Sequence, residues 1–156
     1  MKRATLLLAV LIPASAVAAD ELGGEPGNVV KYRQNAFQGM GKHMKALGMM
    51  AKGKVDLPAA DRLAHARSLH EAARSLPGWF PAGTGPDAKL ETEALAPIWT
   101  DRAGFEKAAG DFEAAAANLV AKAEAGDADA FKAAFGGVGK TCGGCHDGFR
   151  KKDEDR

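Results

Sequence analysis

The residues with the clearest chemistry lie near the C-terminus, in Cys142-Gly143-Gly144-Cys145-His146. The spacing is C-x-x-C-H, the attachment pattern of a c-type haem. Two thiols so placed reach one porphyrin edge and form thioethers with its two vinyl groups. The histidine that follows lies under the iron and binds it through an imidazole nitrogen. These are the only two cysteines of the chain, so no thiol is left over. A zinc site would need further ligands. The other histidines, His43, His65 and His70, stand at no ligand spacing from another Cys or His. A redox dithiol usually follows a strand in an α/β pattern, and no strand pattern is present. A disulfide closed within one helical turn would be strained. We therefore carry forward haem c, one per chain, attached at Cys142 and Cys145, with His146 as the iron ligand.

The start of the chain is consistent with such chemistry. Lys2 and Arg3 precede an apolar run, Leu6 to Ile12, and then Ala16-Val17-Ala18-Ala19. This is the order of a secretory signal, cleaved near residue 19, and the run is too short to span a bilayer. Export to the periplasm suits the motif, because c-type haem is attached outside the cytoplasm in bacteria. No membrane association is expected after cleavage. Residues 20–156 then form one domain, large enough for a single core. Loss of Lys2 and Arg3 takes the formal charge from +1 to −1, which leaves no electrostatic footprint for nucleic acid. Residues 150–156 read as a solvated tail of mixed charge.

Alanine is abundant and β-branched residues are few, which favours helix. Asn28 reads as the cap of a first helix, Val29 to Ala51. Val30, Arg33, Phe37, Met40, Met44 and Leu47 recur at spacings of three and four, a bundle stripe. Arg33 is the exception on that stripe. It either snorkels at the helix end or meets a haem propionate, whose carboxylate suits its fork. Gly53 ends this helix. Pro58 opens a second, to Leu76, with Leu63, Ala66, Leu69, Ala73 and Leu76 on its apolar face. His43, His65 and His70 read as partly exposed polar groups. Pro77 to Thr100 is a long connection whose prolines and glycines exclude helix. Trp79, Phe80 and Trp99 in it should pack on the bundle. A third helix, Asp101 to Ala125, carries Phe105, Ala109, Phe112, Ala116, Leu119 and Ala123. Gly126 ends it and Asp127 caps a fourth, Ala128 to Lys151. There Phe131, Ala134 or Phe135, Val138, Cys142, Cys145 and Phe149 form the stripe. Gly136, Gly137, Gly139, Gly143 and Gly144 cost helix stability, and their clustering suits the close approach of a flat macrocycle.

Four amphipathic helices with a C-terminal C-x-x-C-H resemble the cytochrome c′ family, the class II c-type cytochromes. The resemblance covers the whole mature chain. It rests on Lys31-Tyr32-Arg33-Gln34, Ile98-Trp99, Ala133-Ala134-Phe135-Gly136 and Cys142 to Arg150. It implies an all-α fold, an antiparallel up-down-up-down four-helix bundle enclosing one covalent haem, and a homodimer through the first two helices. It implies that His146 is the one strong ligand, so the iron is five-coordinate and high-spin. Arg33 and Gln34 match positions near the propionates, and Arg150 matches an arginine of the proximal pocket. Glu91 matches a contact at the haem edge, across a loop that is extended here. Phe37 takes the distal position, where many members carry Leu or Met.

The function this implies is electron transfer with an unknown redox partner, binding of small gases such as nitric oxide and carbon monoxide, or both, without turnover as an enzyme. Phenylalanine offers iron no donor and its ring hinders gases. A low-spin electron shuttle, with Met40 or Met44 as distal ligand, is the first rival. A peroxidase-like enzyme would need a distal acid–base pair, and a haem-free bundle would make the motif an accident.

Overall fold

The computed structural model describes residues 24–56 and 58–152. The expected signal, residues 1–19, and the last four residues of the expected tail lie outside the described residues. Four long helices carry the chain: α1 (Pro26–Ala51), α2 (Ala59–Ser75), α3 (Arg102–Ala125) and α4 (Ala128–Phe149). They form the antiparallel bundle. Each packs on the next, and α4 closes the ring on α1 through the thinnest of the four seams. The only sheet-like pairing among the described residues is an isolated bridge, Ala94 to Arg150.

Local chemistry sets the helix ends. α1 begins at Pro26 rather than Val29, because the fixed φ of proline suits a first turn. Asn28 is therefore inside the helix and not its cap; Glu25 holds that place without a side-chain bond. Pro58 likewise precedes α2 instead of opening it. Gly53 and Gly126 follow α1 and α3 with φ of 63° and 75°, the left-handed conformation that stops a helix. Asp101 caps α3 by accepting from Gly104 N at 3.1 Å. Asp127 caps α4 by accepting from the backbone of Asp129 and Ala130 at 3.0 and 2.9 Å.

The long connection departs from its expected lack of helix. It holds two 3₁₀ turns, Leu76–Trp79 and Pro86–Ala88, and one α-helical turn, Pro97–Thr100. In each, a proline occupies the first or second position, where its missing N–H costs nothing. The loop's aromatic residues do pack on the bundle: Trp79 and Phe80 are buried, and Trp99 donates from Nε1 to Pro81 O at 3.0 Å.

The core follows the stripes. All six stripe residues of α3 are buried, from Phe105 to Ala123. Leu47 of α1, Ala66, Leu69 and Ala73 of α2, and Phe131, Ala134 and Val138 of α4 complete it. Each large apolar side chain so buried contributes roughly 1.5–3 kcal/mol. Phe37, Met40 and Met44 of α1 and Cys142 and Phe149 of α4 pack against this core while staying partly open.

Candidate functional site

The last two turns of α4 present Cys142, Cys145 and His146 in sequence along one helix. Both thiols are free and half-buried. Burial raises both pKa values, and for Cys145 the neighbouring Cys142 adds to it. A redox dithiol needs the opposite shift, toward thiolate. His146 stands on the more exposed flank of α4. Partial burial of its ring and then the Arg150 guanidinium lower its pKa, against Asp147 and Glu93. Its Nδ1 accepts from Arg150 Nη1 at 3.2 Å. That contact leaves Nε2 as the nitrogen aimed elsewhere.

Arg150 is not part of a solvated tail. Its Nε lies 3.2 Å from the Glu93 carboxylate. Two backbone bonds flank the pair, Leu95 N to Phe149 O at 3.0 Å and Lys151 N to Glu93 O at 2.8 Å. This stitch also ends α4 at Phe149, short of Lys151. Glu93 had no signal in the sequence, since its partner lies more than fifty residues away.

On α1, Arg33 is 2% exposed, which removes the snorkelling alternative. The long connection folds over it. Nη1 donates to Thr84 Oγ1 at 3.0 Å, and Nη2 donates to Thr84 O at 2.8 Å and Thr92 Oγ1 at 2.9 Å. The guanidinium also lies over the Phe80 ring at 4.8 Å and that of Trp99 at 5.7 Å. Burial pulls its pKa down to about 10, so it remains charged at neutral pH. Thr84 and Thr92 were invisible to sequence reasoning, because loop threonines carry no periodicity. Gln34, next along the helix, donates from Nε2 to the backbone carbonyl of Glu91 at 3.0 Å. The two residues read as neighbours of a haem edge are thus neighbours of each other.

Phe37 meets Trp79 edge-to-face at 5.5 Å and Phe80 at 6.2 Å. Met40 lines a groove between α1 and α2 together with Ala36, His43, Ser68 and Ala72. Met44 lies instead in a second groove with Gly48 and Phe135 of α4. A Cβ added at Gly136, Gly137, Gly139, Gly143 or Gly144 would meet nothing within 4 Å. Packing between parts of this chain therefore does not require those glycines. α4 stays helical through all of them despite their cost.

An all-helical bundle with paired thiols and a histidine on its last helix defines a c-type haem protein. The sequence of residues 28–150 matches the model of one family, described as cytochrome C'. The chain belongs to the cytochrome c′ family. It is 37% identical over 131 residues to cytochrome c′ of Rubrivivax gelatinosus, covering 82% of this chain and 98% of that one. A variant of cytochrome c′ from Alcaligenes xylosoxidans in complex with nitric oxide superposes with TM-score 0.74 at 35% identity, covering 82% of this chain and 98% of that one. Another variant of the same protein, with carbon monoxide bound, gives the same TM-score, identity and coverage. The family's members hold one covalent haem c and serve as electron carriers or gas binders rather than enzymes. The free thiols one turn apart on α4 and the adjacent histidine fit that group.

Proposed function

We propose that this protein is an exported cytochrome with five-coordinate, high-spin iron that binds nitric oxide and exchanges single electrons. Haem, when bound, supplies the iron at which a gas or an electron is taken up. Cys142 and Cys145 hold the group covalently, and His146 is its one protein ligand. Arg33 uses three of its five N–H groups on the loop; the other two would serve a propionate. Gln34 and the backbone at Glu91 border the same edge. Arg150, next to His146, borders the proximal side.

Phe37 carries this reading. It has no donor atom, and Trp79 and Phe80 brace its ring. Met40, the rival ligand, lies toward α2. A braced ring slows carbon monoxide and favours nitric oxide, whose stronger bond to iron offsets moving it. The complexes with nitric oxide and carbon monoxide among the structural relatives support gas binding. Lys2, Arg3 and the apolar run support export.

Optical spectra of the purified ferric and ferrous protein test the proposal. High-spin bands in both states are expected. A low-spin spectrum that disappears in Met40→Ala would replace this reading with the electron shuttle. Haem should stay with the polypeptide in acid organic solvent, and Cys142→Ala or Cys145→Ala should weaken that attachment.

A further inference from the structure

α1 carries Lys31, Arg33, Lys42 and Lys45 but no Asp or Glu, and Lys52 and Lys54 follow its end. Arg33 is buried, whereas all of these lysines are exposed. At about 100° per residue, Lys31, Lys42, Lys45 and Lys52 fall on one flank of the helix. Met49 shares that flank and is 37% exposed, one of two exposed large apolar side chains among the described residues. The other, Tyr32, lines the groove toward α2 with Met40 and His43, where His43 and His65 bring their Nδ1 atoms to 2.8 Å.

The lysine flank lies on the other side of α1, toward α4. A groove of about 270 Å³ runs there, open to water. Met44, Gly48 and Met49 of α1 and Phe135 of α4 give it an apolar lining; Lys45, Lys52 and Lys54 border it, and no carboxylate does. Phe135 precedes Cys142 by two turns of α4, about 10 Å along its axis. Gln34 lies on the same flank of α1, at the Glu91 carbonyl, the edge where haem is proposed. The positive charge is local: the formal net charge of the chain is +1, and α3, diagonal to α1 in the ring, carries both signs.

We propose, on the reading that the protein exchanges electrons, that this flank and its groove are the docking surface for a redox partner whose face is rich in carboxylates around an apolar centre. A cluster of one sign of charge steers an oppositely charged partner into place, and salt weakens the pull. Methionine supplies a centre that adapts to the partner's shape. The groove is small, and small contacts suit partners that must leave after each transfer. A partner seated there lies beside α4, the helix that carries Cys142 and Cys145. It also leaves free the α1–α2 face expected to pair in a dimer.

Poly-L-glutamate is the probe for binding. It is coupled to the haem protein at low salt with a carbodiimide, which joins carboxylates to the lysines they touch, and mass spectrometry locates the joined residues. Lys45, Lys52 and Lys54 should couple, and Lys107 and Lys122 of α3 should not. Ferricyanide, an anion, is the probe for electron transfer: it takes one electron from the ferrous protein and becomes ferrocyanide. At low salt the combined variant Lys45→Glu, Lys52→Glu, Lys54→Glu should be oxidised roughly tenfold more slowly than the parent in stopped flow, and the gap should close at high salt. Lys107→Glu with Lys122→Glu should react as the parent does. Optical spectra and circular dichroism check that haem and helices are unchanged in each variant. Coupling spread over all lysines, or an unchanged rate in the triple variant, overturns the docking surface and leaves electron exchange standing. A parent that ferricyanide cannot oxidise overturns the electron-exchange reading itself. Sedimentation with phosphatidylglycerol vesicles, without coupling to polyglutamate, assigns the flank to a membrane surface instead and overturns the partner.

Discussion

Arg33 and Phe37 stand one turn apart on α1, and each gives a direct test. Arg33→Ala removes three hydrogen bonds and two ring contacts, and takes the donor from the buried Thr84 carbonyl, while the Thr84 hydroxyl keeps only its bond to Pro81 O. A loss of about 2–4 kcal/mol in denaturant unfolding is expected, with a shift of the haem potential in an electrochemical titration. Phe37→Ala should speed carbon monoxide association in flash photolysis by roughly tenfold, for about 1.4 kcal/mol removed from the barrier to entry. Phe37→Met should give a low-spin optical spectrum by supplying the thioether that phenylalanine lacks. That Arg33 needed a partner was legible in the sequence, since a charge on an apolar stripe must be compensated. That Thr84 and Thr92 partner it was not, because the contact spans more than fifty residues and rests on loop conformation.

At the scale of the helices, capping and packing decide signs that propensity alone gets wrong. Glycine to alanine inside a helix ordinarily stabilises by about 1 kcal/mol. Gly110 follows that rule, since a Cβ there meets nothing within 4 Å. At Gly104 a Cβ would collide with the capping carboxylate of Asp101 and force the cap open. Gly104→Ala should therefore lower the thermal midpoint while Gly110→Ala raises it. The α1–α2 seam predicts a response to acid. The folded-state pKa of His43 lies below its ordinary value, so the unfolded chain takes up a proton first as pH falls below about 6.5. Stability drops through that window. The urea midpoint should fall between pH 7 and pH 5, and fall less in His43→Asn. The helices themselves were easy to read, above all α3, because their stripes repeat within one segment. The meeting of His43 and His65 was not, since each lies off its own stripe and only the crossing of two helices joins them. The starts of α1 and α2 were misplaced for a related reason: Asn28 and Pro58 each show that a helix opens nearby, but not at which residue.

At the scale of the whole molecule, the proposed dimer and the export signal are open to measurement. Sedimentation at micromolar concentration should give the mass of two chains, and the mass of one chain would count against the pairing of α1 and α2. Mass spectrometry of the exported protein should find its first residue near position 20. The stitch between residues 93–95 and 149–151 has a consequence in time rather than in space. It fastens the end of α4 to a loop that also roofs Arg33, so the proposed proximal edge and the proposed propionate side share one clasp. The amide protons of Leu95 and Lys151 are donors in that clasp, and in deuterium oxide they should exchange slowly and at one common rate. If nitric oxide loosens His146, both amides should quicken together while those at the centre of α3 do not. The protein would then announce an event at its iron as a synchronous loss of protection in two strands of chain far apart in sequence.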